Sequence, residues 1–438
     1  MTLGCAKNQV DTEFMLGSLM GTKYLVVTRP DLADAVVINT CCFIDAAKEE
    51  TVNTILEIAE MKKGRPELKL IVAGCAAQKY GKELLEELPE IDVLLGVGEL
   101  GRLKEALDLL DQGCRTPLVF VEKNPVDASP GVSRWGVAGP SAYLKIADGC
   151  DNRCTYCVIP KIKGPYRSRP VDALIEEAQD LAARGVKELC LVAQDVTAYG
   201  LDIYGELRLP VLLRQLVKIE ALRWIRLLYC YPTYITDELL QVISQERKIC
   251  RYMDIPIQHG STAVLRRMGR RGDRAFLENL LAKIRNTVPD IAIRTTFIVG
   301  FPGETEAEFQ ELLDFMQQQR FQWAGVFTYS QEPETPAAGM REQVPEYIKE
   351  ERYHRAMMLQ REITLQVNDK WLGRELEVLV EGVSPENRDL YVGRAYLHAP
   401  EVDGQVYFTS PLAHRPGDMA KVLITDVAEY DLVGEMIE

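Results

Sequence analysis

The stretch AYLKIADGCDNRCTYC (residues 142–157) joins an apolar, strand-like run to a compact loop that carries three cysteines. Cys150, Cys154 and Cys157 follow a C-x3-C-x2-C spacing. Structural zinc normally takes four ligands in two separated pairs, whereas three thiolates in one loop suit a single iron–sulfur cluster. Such a cluster keeps one iron open for a cofactor. A loop without metal is the alternative, but exposed thiols so close together would be prone to oxidation.

The same stretch begins a series of alternating strand and helix patterns. Six strand-like runs, separated by helical patterns, lie between residues 142 and 330: AYLKIA (142–147), ELCLVA (188–193), WIRLLY (224–229), YMDIPI (252–257), IAIRTTFIV (291–299) and WAGVFTYS (323–330). Strands that are apolar on both faces are typical of parallel sheets. The series therefore predicts a parallel barrel or a partial (β/α) barrel, whose chemistry lies at the carboxyl ends of the strands.

The regions on either side have different patterns. Residues 1–125 alternate short β-branched runs with amphipathic stretches, which predicts a doubly wound parallel sheet. Residues 126–141, rich in Pro, Gly and Ser, predict a linker. From residue 371 onward, short alternating runs broken by Gly and Pro predict a small antiparallel β domain. We therefore expect an α/β protein with domains at 1–125, 142–370 and 371–438.

Three further cysteines lie far apart in the first region. Cys41 and Cys75 each directly follow a predicted strand, and parallel strands end at one shared edge of a sheet. Cys5 would join them only if it also ends a strand. Considered alone, the three are equally well explained as buried apolar cysteines. The other five fall in apolar runs or at isolated positions, which favours a structural role, with Cys42 least certain because it adjoins Cys41: Cys42, Cys114, Cys190, Cys230 and Cys250.

Composition and charge restrict the class of protein. The 438 residues contain 11 cysteines and carry a net charge of −14, which argues against a surface that binds nucleic acid throughout. A local basic patch remains possible. No apolar run approaches the roughly 18 residues of a membrane-spanning helix, and the opening MTLGCAKNQVDTE lacks the basic and apolar regions of a signal peptide. These features predict a cytoplasmic protein with no membrane partner, and so many cysteines favour metal or redox chemistry.

Several motifs resemble a known family. GCDNRCTYC resembles the radical S-adenosylmethionine (SAM) signature, and LGCAKNQVDTE, INTCCFIDAAKEE, VAGCAAQ, YRSR and FIVGFPGET resemble the methylthiotransferases through the whole chain. Within that family, IPKIKGPYRSR, VAQDVTAYG, DIPIQHGS and APEVDGQVYF look more like the members that modify a ribosomal protein than the tRNA-modifying members. The chain departs from the family pattern at Cys42, where related sequences usually carry Gly.

This resemblance implies a transferase with two [4Fe–4S] clusters. Cys150, Cys154 and Cys157 would hold the cluster that binds and reductively cleaves SAM, which requires an electron donor. The second set, Cys5, Cys41 and Cys75, would hold an auxiliary cluster that carries the inserted sulfur. Replacing an unactivated C–H bond by C–S needs hydrogen-atom abstraction, which no side-chain acid or base can perform, so a cofactor must supply the radical.

Other residues at strand ends are candidates for contacts with SAM or substrate: Gln194, Asp195, Gln258, Gly300 and Gly303. The two glycines could let the backbone approach the cofactor, although a plain strand-to-helix turn explains them equally well. Two basic clusters could receive carboxylates or could be solvated surfaces: Lys161, Lys163, Arg167 and Arg169, and Arg266, Arg267, Arg270, Arg271 and Arg274.

The last region bears on the substrate. Residues 371–438 contain five Arg and Lys against thirteen Asp and Glu, a balance of −8. The region resembles a TRAM domain, which contacts tRNA in RNA-modifying relatives, but an RNA-binding face should be basic. An acidic domain is better matched to a basic ribosomal protein. In the family branch concerned, the target is the β-carbon of an aspartate in the twelfth small-subunit ribosomal protein. A tRNA adenosine methylthiotransferase is the near alternative, and a non-catalytic metal-binding protein the distant one.

Overall fold

The computed structural model describes residues 1–122 and 133–437. The first part of the predicted linker, 126–132, lies outside these residues. The chain divides into two compact units. The first comprises Met1–Val137, Asp148–Asn152 and Cys157–Arg167, and the second comprises Ala138–Ala147, Arg153–Tyr156 and Ser168–Glu438.

The first unit is built on a four-stranded parallel sheet. Its strands, in the spatial order β1-β2-β3-β4, are β1 (Ala35–Thr40), β2 (Lys69–Gly74), β3 (Val93–Leu95) and β4 (Leu118–Phe120). Its helices are α1 (Ala6–Ser18), α2 (Asp45–Gly64), α3 (Cys75–Glu87), α4 (Leu103–Asp111) and α5 (Ile159–Lys163). Thr2 forms a parallel bridge with Asn39, so the strand predicted before Cys5 is reduced to one bridging residue.

Helices cover both faces of this sheet. Ile55 of α2 belongs to a buried cluster with Val72, whereas Met15 of α1 belongs to another cluster with Ile71. Successive residues of a strand point to opposite faces, so β2 must be apolar on both faces after its first residue, Lys69. This arrangement confirms the predicted parallel sheet and explains why residues 70–74, LIVAG, form a continuous apolar run.

The second unit contains the predicted partial barrel. Its six strands are all parallel and lie in the order β12-β11-β10-β9-β8-β5: β5 (Ser141–Lys145), β8 (Glu188–Val192), β9 (Trp224–Leu227), β10 (Ile249–Gln258), β11 (Ala292–Val299) and β12 (Trp323–Thr328). Each strand corresponds to one of the six predicted runs. Two short strands lie where the chain passes between units, β6 (Ala147–Asp148) and β7 (Arg167–Ser168).

The helices of the second unit occupy the segments between these strands and after the last one. They are α6 (Val171–Ala183), α7 (Leu201–Tyr204), α8 (Leu209–Leu216), α9 (Asp237–Gln245), α10 (Thr262–Arg267), α11 (Arg274–Thr287), α12 (Glu306–Gln319) and α13 (Glu346–Asn368). Thr305 caps α12: its hydroxyl accepts from the Glu308 amide, and the Glu308 carboxylate accepts from the Thr305 amide. This is the capping box that the sequence predicts.

The C-terminal strands close into a five-stranded barrel in the order β13-β14-β15-β17-β16. They are β13 (Glu375–Val383), β14 (Tyr391–Ala395), β15 (Val406–Thr409), β16 (Met419–Val427) and β17 (Leu432–Met436). Four pairings are antiparallel, as predicted, but β15 and β17 pair in parallel. The parallel pair closes the barrel, and closure leaves no free strand edge.

A buried ionic network joins this small barrel to the larger one. Glu188 of β8 is fully buried and accepts hydrogen bonds from Arg226 at 2.8 Å and from Arg394 of β14 at 2.6 Å. Arg226 also donates to the carbonyl oxygen of Tyr396. The two guanidinium groups outweigh the penalty of burial and lower the pKa of Glu188 to about 2. The small barrel is thus fixed to β8 and β9 by paired charges.

In the part of the chain that the structure describes, every helix is too short or too polar to cross a lipid bilayer.

Candidate cluster and cofactor site

The first unit places two of its dispersed cysteines at one edge of the sheet. Cys41 directly follows β1, and Cys75 is the first residue of α3, directly after β2. Thr40 and Gly74, the residues just before them, are register partners. Parallel strands that are in register end side by side, so the fold brings together two cysteines that are 34 residues apart in the chain.

Cys5 reaches the same edge through the backbone before it. Gly4 has a φ of +89°, and a Cβ placed on it would lie 2.6 Å from the Cβ of Cys41 and 3.0 Å from its Sγ. No side chain fits there, and an L-residue would also be strained at this φ. The backbone next to Cys5 therefore lies against Cys41. Cys5 itself is the N-cap residue of α1.

Two asparagines hold this arrangement in place. The Asn8 amide group donates to the carbonyl oxygens of Leu3 at 2.9 Å and Thr40 at 3.0 Å, which ties the segments before Cys5 and Cys41 to α1. Asn39 donates to the carbonyl oxygen of Asn8 at 2.8 Å. Both asparagines are almost completely buried. Sequence reasoning did not select them, although Asn8 lies three residues after Cys5 and Asn39 two residues before Cys41.

Burial and charge determine the protonation of these thiols. Burial raises the pKa of the Cys41 thiol and raises that of Cys75 well above its ordinary value, and the neighbouring thiols add to both effects. Lys163 opposes the shift at Cys75. Without metal these thiols are protonated at neutral pH, whereas a coordinating metal deprotonates a thiol outright. Cluster assembly at this edge would therefore release protons.

Lys163 is a buried ammonium group in the first unit. It contacts Asp148 at 3.2 Å and Asp11 at 3.4 Å. Burial opposes its charge, but the two carboxylates and the nearby thiols Cys75 and Cys5 outweigh it, so the pKa of Lys163 is raised well above its usual value. The sequence placed Lys163 in a basic cluster that could receive carboxylates or form a solvated surface, and the structure instead buries it beside two carboxylates of its own chain.

Cys42 packs differently from its neighbour Cys41. It is 1% exposed and belongs to an apolar cluster with Val97, Val158 and Ile162. Cys75 is a member of the same cluster. These contacts are those of a small buried apolar residue, in line with the structural role favoured for Cys42.

The residues of the second cysteine motif are divided between the units. Cys150 and Cys157 belong to the first unit and Cys154 to the second. The Cys150 amide donates to the carbonyl oxygen of Gly164 at 3.2 Å. In the second unit, the Cys154 sulfur accepts a hydrogen bond from the Arg270 guanidinium at 3.6 Å. All three side chains are partly exposed, in contrast to Cys41 and Cys75.

Within the described residues, no three His, Cys, Asp or Glu side chains are grouped so as to hold a metal ion. A mononuclear zinc site needs sulfurs about 2.3 Å from one common centre. The cysteines of a cubane cluster each bind a different iron, so their sulfurs lie farther apart. Three thiols that each bind a different iron of one cluster need no such common centre.

The other predicted residues lie at the carboxyl ends of barrel strands. Gln194 and Asp195 follow β8, and Gln258 ends β10 with a φ of +80°. Asp195 accepts hydrogen bonds from the amide of Thr197 at 3.0 Å and from its hydroxyl at 2.5 Å. Asp195 therefore uses one carboxylate oxygen to stabilise the turn that follows β8.

Gly300 and Gly303 follow β11, but the chain itself fills the space beside them. A Cβ on Gly300 would lie 2.3 Å from Cγ of Lys349 in α13. The Gly303 amide donates to the carbonyl oxygen of Glu342 at 2.6 Å. These contacts favour the alternative that the two glycines form a tightly packed strand-to-helix turn.

Three family models match the chain. Residues 1–96 match the uncharacterized protein family UPF0004, residues 144–316 match the radical SAM superfamily, and residues 372–437 match the TRAM domain. Among solved structures, the radical SAM methyltransferase TsrM from Kitasatospora setae has a TM-score of 0.52 at 16% identity, covering 77% of this chain and 79% of its own. The cobalamin-dependent radical enzyme OxsB has a TM-score of 0.51 at 13% identity, covering 80% of this chain and 53% of its own. These likenesses confirm the radical SAM fold.

Curated relatives match the whole chain. Proteins named ribosomal protein uS12 methylthiotransferase RimO are 48% identical in Desulforamulus reducens, 50% in Pelotomaculum thermopropionicum and 51% in Moorella thermoacetica. Each alignment covers 100% of this chain and at least 98% of the relative. The predicted family resemblance is confirmed: the chain belongs to the RimO family of ribosomal protein uS12 methylthiotransferases, which are radical SAM enzymes.

Proposed function

We propose that this chain uses SAM and two [4Fe–4S] clusters to attach a methylthio group to the β-carbon of an aspartate side chain in ribosomal protein uS12. The observation that carries the proposal is the full-length identity of 48–51% to the uS12 methylthiotransferases. The six cysteines that the family resemblance implies as cluster ligands are Cys5, Cys41, Cys75, Cys150, Cys154 and Cys157.

We assign the auxiliary cluster to Cys5, Cys41 and Cys75. The assignment is supported by the shared sheet edge and by the approach of Gly4 to Cys41. The chain's own part is to present three sulfurs at one sheet edge, with Cys41 and Cys75 buried and Cys5 partly exposed. Asn8 and Asn39 maintain the spacing of the backbone segments that carry them.

We assign the SAM-binding cluster to Cys150, Cys154 and Cys157, and this assignment rests on their sequence spacing. When bound, the two clusters and SAM supply the organic radical, the sulfur and the methyl group, none of which side chains can provide. An external one-electron donor is needed. Gln194, Asp195 and Gln258 are the candidates for hydrogen bonds to SAM, because they lie at the carboxyl ends of the barrel strands, where such folds place their ligands.

The charge of the C-terminal barrel supports a basic protein substrate. Among residues 371–437, nine acidic side chains are exposed, against four basic ones: Glu375, Glu377, Glu386, Asp389, Glu401, Asp418, Asp426, Glu429 and Glu435, against Arg374, Arg388, Arg415 and Lys421. Phosphate contacts dominate the affinity of nucleic-acid interfaces, so this surface would repel tRNA. Complementary charge would instead speed association with a basic ribosomal protein.

The test is to incubate the anaerobically reconstituted enzyme with reductant, SAM and either uS12 or tRNA, and to measure both by mass spectrometry. We expect the mass of a methylthio group on uS12 and an unchanged tRNA. A mass gain on tRNA alone would replace this function with that of a tRNA methylthiotransferase. Zinc without iron and sulfide in the purified protein would favour a non-catalytic metal-binding protein.

A further inference from the structure

The segment RRMGRRG (266–272), which comprises the last two residues of α10 and the loop after them, contacts the middle of the cysteine motif. Both lie in the second unit. The Thr155 amide donates to the carbonyl oxygen of Met268 at 2.9 Å, and the Thr155 hydroxyl donates to the carbonyl oxygen of Arg267 at 2.8 Å. The Ala337 amide donates to the carbonyl oxygen of Thr155 at 2.9 Å. The residue beside Cys154 is therefore held on both its amide and carbonyl sides.

Tyr156 adds an apolar contact to this attachment. Its ring packs against a buried cluster that includes Val264, Met268, Phe301 and Ala337. Because the two residues after Cys154 are anchored to the α10 loop and the segment near Ala337, the backbone position of Cys154 is set by the second unit itself.

Arg270 contacts the cysteine side chain directly. Its Nη1 donates to the Cys154 sulfur at 3.6 Å, and its Nη2 donates to the carbonyl oxygen of Pro256. The guanidinium lies over the Tyr231 ring, 4.0 Å from the ring centre. Three contacts fix the planar group, so its orientation toward the sulfur is determined by the surrounding structure.

The other arginines of this basic cluster make contacts of a different kind. Arg267 pairs with Glu308 at 2.9 Å, Arg274 pairs with Glu278 at 2.8 Å, and Arg271 donates to the Tyr234 hydroxyl at 3.1 Å. Arg270 instead donates to a cysteine of the motif. The contacts that hold the Arg270 side chain are those with the Cys154 sulfur, the Pro256 carbonyl oxygen and the Tyr231 ring.

We propose that Arg270 is a positioning residue for the SAM-binding cluster: its guanidinium holds the Cys154 thiolate in place and favours the reduced state of the cluster. The inference rests on the proposed function. Arginine stays cationic at all relevant pH values. Hydrogen bonds to ligand sulfurs and nearby charge both tune the potential of iron–sulfur clusters. A cation stabilises the more negative, reduced cluster more than the oxidised one, so Arg270 raises the reduction potential.

The test uses the full chain with Cys5→Ala, Cys41→Ala and Cys75→Ala, so that one cluster remains, reconstituted anaerobically. Iron content is measured, and the reduced cluster is titrated with EPR detection. Arg270→Gln should lower the reduced-to-oxidised ratio at a fixed potential by about tenfold, which is about 59 mV for a one-electron couple. Arg271→Gln removes the same charge from the same loop and is the matched control. It should titrate like the parent.

A lower potential or a lower iron content in Arg270→Gln than in Arg271→Gln supports the inference. Equal iron content and equal potential in the two variants overturn it. If Arg270→Gln does not fold, as judged by circular dichroism, Arg270→Lys is measured in its place. Lysine keeps the charge but loses the planar contacts that hold it beside the Cys154 sulfur, so the reduction potential of the cluster should lie below that of the parent. A reduction potential equal to the parent's in Arg270→Lys overturns the inference.

Two measurements separate this inference from the proposed function. If Cys150→Ala, Cys154→Ala and Cys157→Ala together leave the iron content of the full chain unchanged, the cluster assignment itself fails, whatever Arg270 does. The titration is also repeated with all cysteines present, on the EPR signal that changes when SAM is added. In that protein the reduction potential of Arg270→Gln should again lie below that of Arg271→Gln. Equal potentials would overturn the positioning role of Arg270 and leave the cluster assignment standing.

Discussion

The two cysteine sets differ in how the chain brings them together. Cys150, Cys154 and Cys157 lie within eight residues of sequence, whereas Cys5, Cys41 and Cys75 are separated by 36 and 34 residues. The first set is close by covalent connection alone. The second set depends on the pairing of β1 with β2 and on the approach of Gly4 to Cys41. A perturbation of the sheet should therefore affect one set and spare the other.

The largest expected effect comes from removing one ligand of each set. Cys154→Ala should abolish formation of 5′-deoxyadenosine and with it all product. Cys75→Ala should leave some 5′-deoxyadenosine but abolish methylthio insertion, because the sulfur has no site. Chromatography of 5′-deoxyadenosine and mass spectrometry of uS12 measure the two activities. Cys114→Ala, which lies outside both sets, should change neither. Methylthio insertion that survives Cys75→Ala would contradict the auxiliary assignment.

A change beside the ligands should separate the two sets by their iron content. Gly4→Ala places a Cβ 2.6 Å from the Cβ of Cys41, so we expect iron to fall from about eight to about four per chain. Gly21→Ala is the control, because Gly21 has a φ of +72° but open space around it. Both variants carry backbone strain of about 1–2 kcal/mol. Equal iron content in both would show that close packing at Gly4 does not maintain the auxiliary site.

Lys163→Met should destabilise the first unit without touching a cysteine. It removes the buried ammonium group that pairs with Asp11 and Asp148, and removing one partner of a buried ion pair costs about 3–5 kcal/mol. Hydrogen exchange of the α1 amides reports the loss as faster local opening. Lys161→Met, at an exposed position two residues away, should change the opening free energy by about 0.5 kcal/mol or less. Similar protection in both variants would mean that the Lys163 ion pairs contribute little.

The smallest effect should come from surface charge. Glu375 and Glu435 are exposed and both stand opposite Leu423, so reversing them with Glu375→Lys and Glu435→Lys changes one acidic patch. We expect the association rate with uS12 to fall roughly three- to tenfold, less at high salt. Glu311→Lys with Asp314→Lys makes the same charge change on α12. If both pairs of substitutions slow association equally, net charge and not the C-terminal surface is responsible. Rates follow from stopped-flow mixing.

Much of the fold was predictable because buried strands and helices require apolar residues at regular intervals in the sequence. All six barrel strands coincide with predicted apolar runs, and the Thr305–Glu308 cap was visible as a four-residue motif. The C-terminal strands were also expected, but the parallel pairing of β15 with β17 was not. Strand order within a barrel depends on long-range closure, which local alternation of polar and apolar residues does not encode.

The site was predictable only where chemistry is visible in single residue types. Cysteine type and close spacing single out Cys150, Cys154 and Cys157 as candidate ligands. For the dispersed set, the residues alone left simple burial as an equal explanation, and only the family resemblance implied a shared cluster. Arg270 was indistinguishable from the four arginines near it in sequence, because its contact with Cys154 depends on how the 266–272 loop folds over the motif. Asn8 and Asn39 were missed for the same reason: each serves through hydrogen bonds to distant backbone.

The Glu188–Arg226–Arg394 network has a consequence for engineering the chain. Removing residues 371–438 would strip Arg394 from Glu188 and leave part of a buried carboxylate without its counter-charge. A truncated protein would therefore be expected to aggregate or to lose the barrel, and a failed assay on it would say nothing about substrate recognition. In chimeras that receive the last domain of a relative, the larger barrel should keep Glu188 and Arg226, and the new domain should supply an arginine at the position of Arg394.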